Sequence, residues 1–200
     1  MKNLQLITLA ATASVLMLAA CTEKPVADAA KTDTAAKANA AAPAHPSDPV
    51  ESALAAAPAS LASGAKVIAM GADKSMKVLR EGKNGWTCMP DNLATPGPDP
   101  MCMDANAMKW AEAWIGHKPP PADNVGLSYM LAGGTDASNT DPYGLKPADG
   151  GKWIETGPHL MIVGSETLNK QYPGGDNPDT TQPYVMFGGT PYAHVMIPIG

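Results

Sequence analysis

A single phenylalanine in 200 residues, within an aromatic content of 5%, leaves this chain little of the bulky material from which most hydrophobic cores are built. Twelve methionines stand in its place, and methionine is an unbranched, polarisable side chain that fills irregular gaps. Three cysteines are too few for a multi-disulfide scaffold. Cations are also sparse. Over residues 64–200, ten Lys plus Arg face fourteen Asp plus Glu, a net charge of about −4. Tight nucleic-acid binding needs phosphate-facing cations gathered together, so that class of function is set aside. The chain contains no G-x-S-x-G elbow, no HExxH and no glycine loop with the spacing that phosphate binding requires. Beyond residue 20 no apolar run is long enough to span a bilayer.

What is present begins at the amino terminus. Lys2 precedes an apolar stretch over residues 4–20, which ends Leu18-Ala19-Ala20-Cys21. A basic start, an apolar middle and small residues at the end are the marks of an export signal. A leucine and two small residues before a cysteine resemble the lipobox of bacterial lipoproteins. The resemblance implies a signal peptide over 1–20, cleavage before Cys21, and acylation of its thiol and new amino group. Each buried methylene of such chains contributes about 0.8 kcal/mol, so two or three chains anchor a small domain firmly. Thr22 stands where inner-membrane lipoproteins of enteric bacteria carry Asp, and by that resemblance the expected location is the outer membrane, with the domain in the periplasm. The membrane is then a partner through the anchor.

Residues 21–63 are mostly Ala, Pro, Thr, Lys and Asp, without an aromatic side chain. Such a composition buries too little apolar area to offset its ordering entropy. The expectation is a lipidated cysteine followed by a disordered tether, at most about 140 Å long when drawn straight. Pro43, Pro46, Pro49 and Pro58 keep any alanine-rich helix in it short. The folded part is expected over 64–200 as one domain.

With Cys21 acylated, Cys88 and Cys102 remain, outside the reducing cytosol. One disulfide is the simplest arithmetic. It closes the loop MPDNLATPGPDPM, worth about 3 kcal/mol in the chain-entropy account. The alternative is a soft metal site, because Met89, Met101 and Met103 flank the two cysteines and sulfur ligands suit copper(I).

The stretch EGKNGWTCMPDNLATPGPDPMCMD (81–104), followed by a tryptophan-bearing helix and then by GGTDASNTDP (133–142), resembles an uncharacterised family of exported bacterial proteins. The resemblance covers most of residues 77–200. It implies one coherent secreted domain and carries no activity, ligand or site residue with it.

Asp104 is a fitting N-cap for a helix over about 105–117, with Met108, Ala111, Trp114 and Ile115 on one face and Pro119-Pro120-Pro121 beyond its end. Alternating and β-branched runs predict strands over 66–70, 76–80, 86–89, 125–132, 152–155, 159–163, 184–187 and 194–199. The fold class is therefore α+β, a mainly antiparallel sheet with one principal amphipathic helix and long Gly/Pro-rich loops, of which 133–147 and 169–183 are the longest.

PHLMIV and AHVMIP echo each other across the second half. In a strand His159 and Met161 share a face, as do His194 and Met196. If those strands are neighbours, two imidazoles and two thioethers gather on one side, a constellation suited to copper. The bland account makes the methionines gap fillers and the histidines hydrogen-bonded sheet residues. Asp136, Asn139 and Asp141 fall within six residues, but the EF-hand pattern is absent and Asx turns account for them. The sequence thus reads as a membrane-anchored envelope lipoprotein, a binding or accessory module for a protein or small-molecule ligand, more a binder than an enzyme, with no cofactor required. Its alternatives are a copper protein using His159, Met161, His194 and Met196, and a hydrolase-like enzyme pairing His159 or His194 with Asp141 or Glu155.

Overall fold

The computed structural model describes residues 46–200. The expected signal peptide, Cys21 and most of the expected tether lie outside the described residues. Asp48 accepts from the amides of Val50 and Glu51, at 2.7 and 3.0 Å, and Pro49 takes the first helical position, so a short helix α1 forms over Pro49–Leu54. Pro58 then opens a second single-turn helix, α2, over Ala59–Ala62.

Ten strands follow: β1 (Lys66–Met70), β2 (Met76–Arg80), β3 (Thr87–Met89), β4 (Met101–Met103), β5 (Gly126–Met130), β6 (Gly134–Asp136), β7 (Ile154–Thr156), β8 (His159–Val163), β9 (Tyr184–Met186) and β10 (His194–Pro198). Between β4 and β5 runs α3 (Ala105–Ile115), and a one-turn α4 (Glu166–Asn169) follows β8. Eight strands make one sheet in the order β2-β1-β3-β4-β5-β8-β10-β9. Only the β1–β3 pair is parallel. β6 and β7 form a separate two-stranded ladder. The sheet-rich α+β class is thus present, with α3 the one helix longer than two turns among the described residues.

Alternation along the strands sends adjacent residues to opposite faces of the sheet. On β4, Met103 joins one core cluster, with Trp110, Met130, Met161, Tyr184, Met186 and Met196, while Cys102 joins the other, with Val67 and Cys88. α3 covers the first face. Asp104 holds it there, because its carboxylate accepts from Asn106 and Ala107 of the helix and from Leu127 of β5. Gly126 permits the close approach, since a Cβ at that position would collide with the backbone of Ala107. The helix ends at Ile115, two residues before the expected stop, where Gly116 caps it and His117 turns to a φ of +53°.

α1 and α2 cover the second face, and this corrects the expected domain boundary at residue 64. Ala53, Ala56, Ala57 and Ala62 are buried against Val67 and the cysteines. Ser52 Oγ accepts from the Asp91 amide and the Ala56 carbonyl from the Leu131 amide. Alanine lacks area but lets backbones come close, and the close approach is what buries this segment. Cys88 and Cys102 face each other in the β3–β4 ladder and are joined by a disulfide. That resolves the alternatives left open for them: the thiols are not metal ligands.

Candidate metal centre

β8 and β10 are antiparallel neighbours. Met161 pairs with Met196, His159 with Pro198, and His194 with Val163. All four sequence-singled residues point to the α3 side and are buried. The flanking strands extend the same face, since Met130 of β5 stands opposite His159 and Met186 of β9 opposite His194.

A cavity of about 30 Å³ lies between this face and α3. Met130, Met161, Met186, Met196 and His194 line one side, Trp110, Trp114 and Phe187 another, and Met101, Asp99 and Asp136 the rest. The volume admits a water molecule or a monatomic ion and is far below the roughly 300–1,000 Å³ of organic-ligand pockets. His194 sits edge-on to Trp110, ring centroids 5.0 Å apart, and to Phe187 at 5.4 Å.

The two imidazoles share one arrangement. His194 Nδ1–H donates to the Tyr192 carbonyl at 2.9 Å and His159 Nδ1–H to the Gly157 carbonyl at 2.7 Å. A carbonyl only accepts, so the proton must sit on Nδ1 and the lone pair on Nε2. Burial lowers both rings below the ordinary imidazole value, His194 to about 4, and so favours their neutral form. An imidazole oriented through one nitrogen by a backbone carbonyl, with the other nitrogen bare, is the form in which histidine binds metals. His159 Nε2 is buried with no hydrogen-bond partner. The structure does not bring His159 to the cavity wall: its Cε1 and the Met130 methyl lie 3.0 and 3.1 Å from where a Gly134 Cβ would stand, filling the bare side of that glycine.

Sequence reasoning missed the acidic end of the cavity. Burial, with the repulsion of Asp136 and Asp91, raises Asp99 well above the carboxylate range, and burial pushes Asp136 up to about 7. Two carboxyls that resist ionisation together are relieved by a cation between them. Asp99 comes from the loop before β4 and Asp136 from β6, a strand inside what read as loop, so no local pattern joined them. Met186 lay in a recognised strand but carried no histidine beside it to mark it.

The other candidate sites dissolve into turn chemistry. Asp141 accepts from Tyr143, Asn139 donates to the carbonyls of Gly175 and Val185, and Asp136 turns to the cavity, so the three oxygens do not converge. Neither imidazole has Asp141 or Glu155 for a hydrogen-bond partner, because both Nδ1 atoms are held by carbonyls. Among the described residues no group of three His, Cys, Asp or Glu side chains is placed to hold a metal, so any metal here relies on thioethers. No helix among the described residues is long and apolar enough to cross a membrane. Compared with protein-family models, curated proteins and solved structures, the chain matches none.

Proposed function

We propose that this chain is a lipid-anchored envelope protein whose domain is a binding module for a soft monovalent metal ion, copper(I), held in the cavity under α3. The observation that carries the reading is the cavity's chemistry and size together. Met161, Met186 and Met196 present thioethers around a neutral His194, in a space the size of a water molecule or a monatomic ion. Soft sulfur and imidazole donors select copper(I) over hard cations. The carboxyls of Asp99 and Asp136, which burial holds towards their protonated form, can release a proton to offset the charge of an entering cation, and Trp110 and Trp114 line the same cavity. The lipobox ending at Cys21 supports the anchor, and the envelope is an oxidising space in which the Cys88–Cys102 disulfide persists.

The test is a competitive copper(I) titration of the mature chain carrying Cys21→Ser, disulfide intact, followed by tryptophan fluorescence. The expected outcome is one tightly bound equivalent that quenches emission and is lost in His194→Ala. Absence of binding tighter than micromolar in the parent chain overturns the metal reading. Radiolabelled palmitate should enter the full chain and fail to enter Cys21→Ser; equal labelling of both overturns the anchor.

A further inference from the structure

We infer that Met89 and Met101 form a loading route for copper(I), a pair of partly exposed thioethers leading from the protein surface to the buried cavity. The inference rests on the copper reading above. Met89 and Met101 are direct cross-strand partners on β3 and β4, on the face opposite the disulfide. The next ladder pairs Cys102 with Tyr129 and Met103 with Ser128, and one further step of that register sets Met101 beside Met130, which itself stands opposite His159. Four neighbouring strands thus carry Met89, Met101, Met130 and His159 in a single row.

The row is graded in exposure. Met89 and Met101 are half-buried, Met130 is buried, and His159 is fully enclosed with a bare Nε2. Met101 and Met130 already line the cavity, whereas Met89 does not. Asp99 lies two residues before Met101 and lines the same cavity, so the route runs alongside its carboxyl end. Packing alone does not demand sulfur at either half-buried position, because leucine has nearly the same volume. A soft ion moving inward exchanges one thioether for the next without being fully stripped of ligands, and no step requires a change of oxidation state.

Stopped-flow mixing of silver(I), a redox-inert soft ion, with the mature Cys21→Ser chain tests this through tryptophan fluorescence. Met89→Leu should bind silver(I) at equilibrium within about twofold of the parent and load about tenfold more slowly. Met76→Leu, at an exposed methionine of β2 away from the cavity, should load at the parent rate. Unchanged loading in Met89→Leu with binding intact overturns the route and leaves the cavity reading standing. A parallel fall of affinity and rate in Met89→Leu also overturns it, by making Met89 an ordinary packing residue. A parent chain that binds no silver(I) removes both.

Discussion

Met161 and Met196 stand directly opposite one another on β8 and β10, with Ser128 beyond one and Tyr184 beyond the other in the same row of the sheet. Both side chains are buried and both line the cavity. A Met-to-Leu change keeps volume and removes sulfur, so packing and ligation separate cleanly at this pair. Met161→Leu and Met196→Leu should each cost less than about 1.5 kcal/mol in urea unfolding. Copper(I) affinity should fall by more than the roughly 10–100-fold that loss of an outer-shell partner causes. Unchanged affinity in the double variant would reduce the methionines to gap filling.

The Cys88–Cys102 disulfide closes a loop with a sequence separation of 14, filled with proline and glycine turns. Its worth lies in constraining the unfolded chain, about 3 kcal/mol for a loop of this length. Reduction, or the double change to alanine, should lower the unfolding free energy by that amount and move the urea midpoint down accordingly. Because both sulfurs sit on the sheet face away from the cavity, copper(I) stoichiometry should stay the same in the alanine variant. A lost equivalent would mean that the cysteines contribute to the site.

Much of the sheet was legible because three strands, 66–70, 76–80 and 159–163, are bounded by turn residues and carry β-branched or alternating side chains. Met101–Met103 was not, since three residues between Pro100 and the N-cap Asp104 are too few to show a period. Gly134–Asp136 was hidden for the opposite reason: glycine and aspartate are poor strand formers, and only pairing with Ile154–Thr156 makes them a strand. At the site, alternation alone put His159 with Met161 and His194 with Met196. Nothing in it could bring Asp99, Trp110 or Asp136 to the same cavity, because those arrive from a loop, a helix and a second sheet.

Residues 49–62 were read as tether from their alanine content, yet Ala53 and Ala56 are fully buried beneath the sheet. A chain beginning at residue 64 would expose Val67 and the disulfide face and lose the hydrogen bonds from Asp91 to Ser52 and from Leu131 to Ala56. Residues 64–200 should therefore unfold at a lower urea concentration than residues 46–200 and bind a dye specific for exposed apolar surface. Equal midpoints would show that α1 and α2 are dispensable.

Two opposed titrations should flatten the acid limb of stability. His194 titrates at about 4 when folded, below its usual 6.5, so the unfolded chain binds a proton that the folded chain refuses. That contribution is complete above pH 6.5 and is lost as pH falls towards 4. His159 is lowered in the same direction. Asp136 does the reverse: with its folded value raised from 3.8 to about 7, the folded chain keeps a proton that the unfolded chain releases, and stability falls as pH rises through that window. The two windows overlap from about pH 4 to 6.5, where the slopes offset each other. Asp136→Asn removes the falling branch. Its urea midpoint should lie close to the parent's near pH 4, rise above it steadily, and stop gaining once pH passes about 7. Parallel midpoint curves for the two proteins between pH 4 and 8 would show that Asp136 is ionised when folded, and that the acidic end of the cavity already holds a charge.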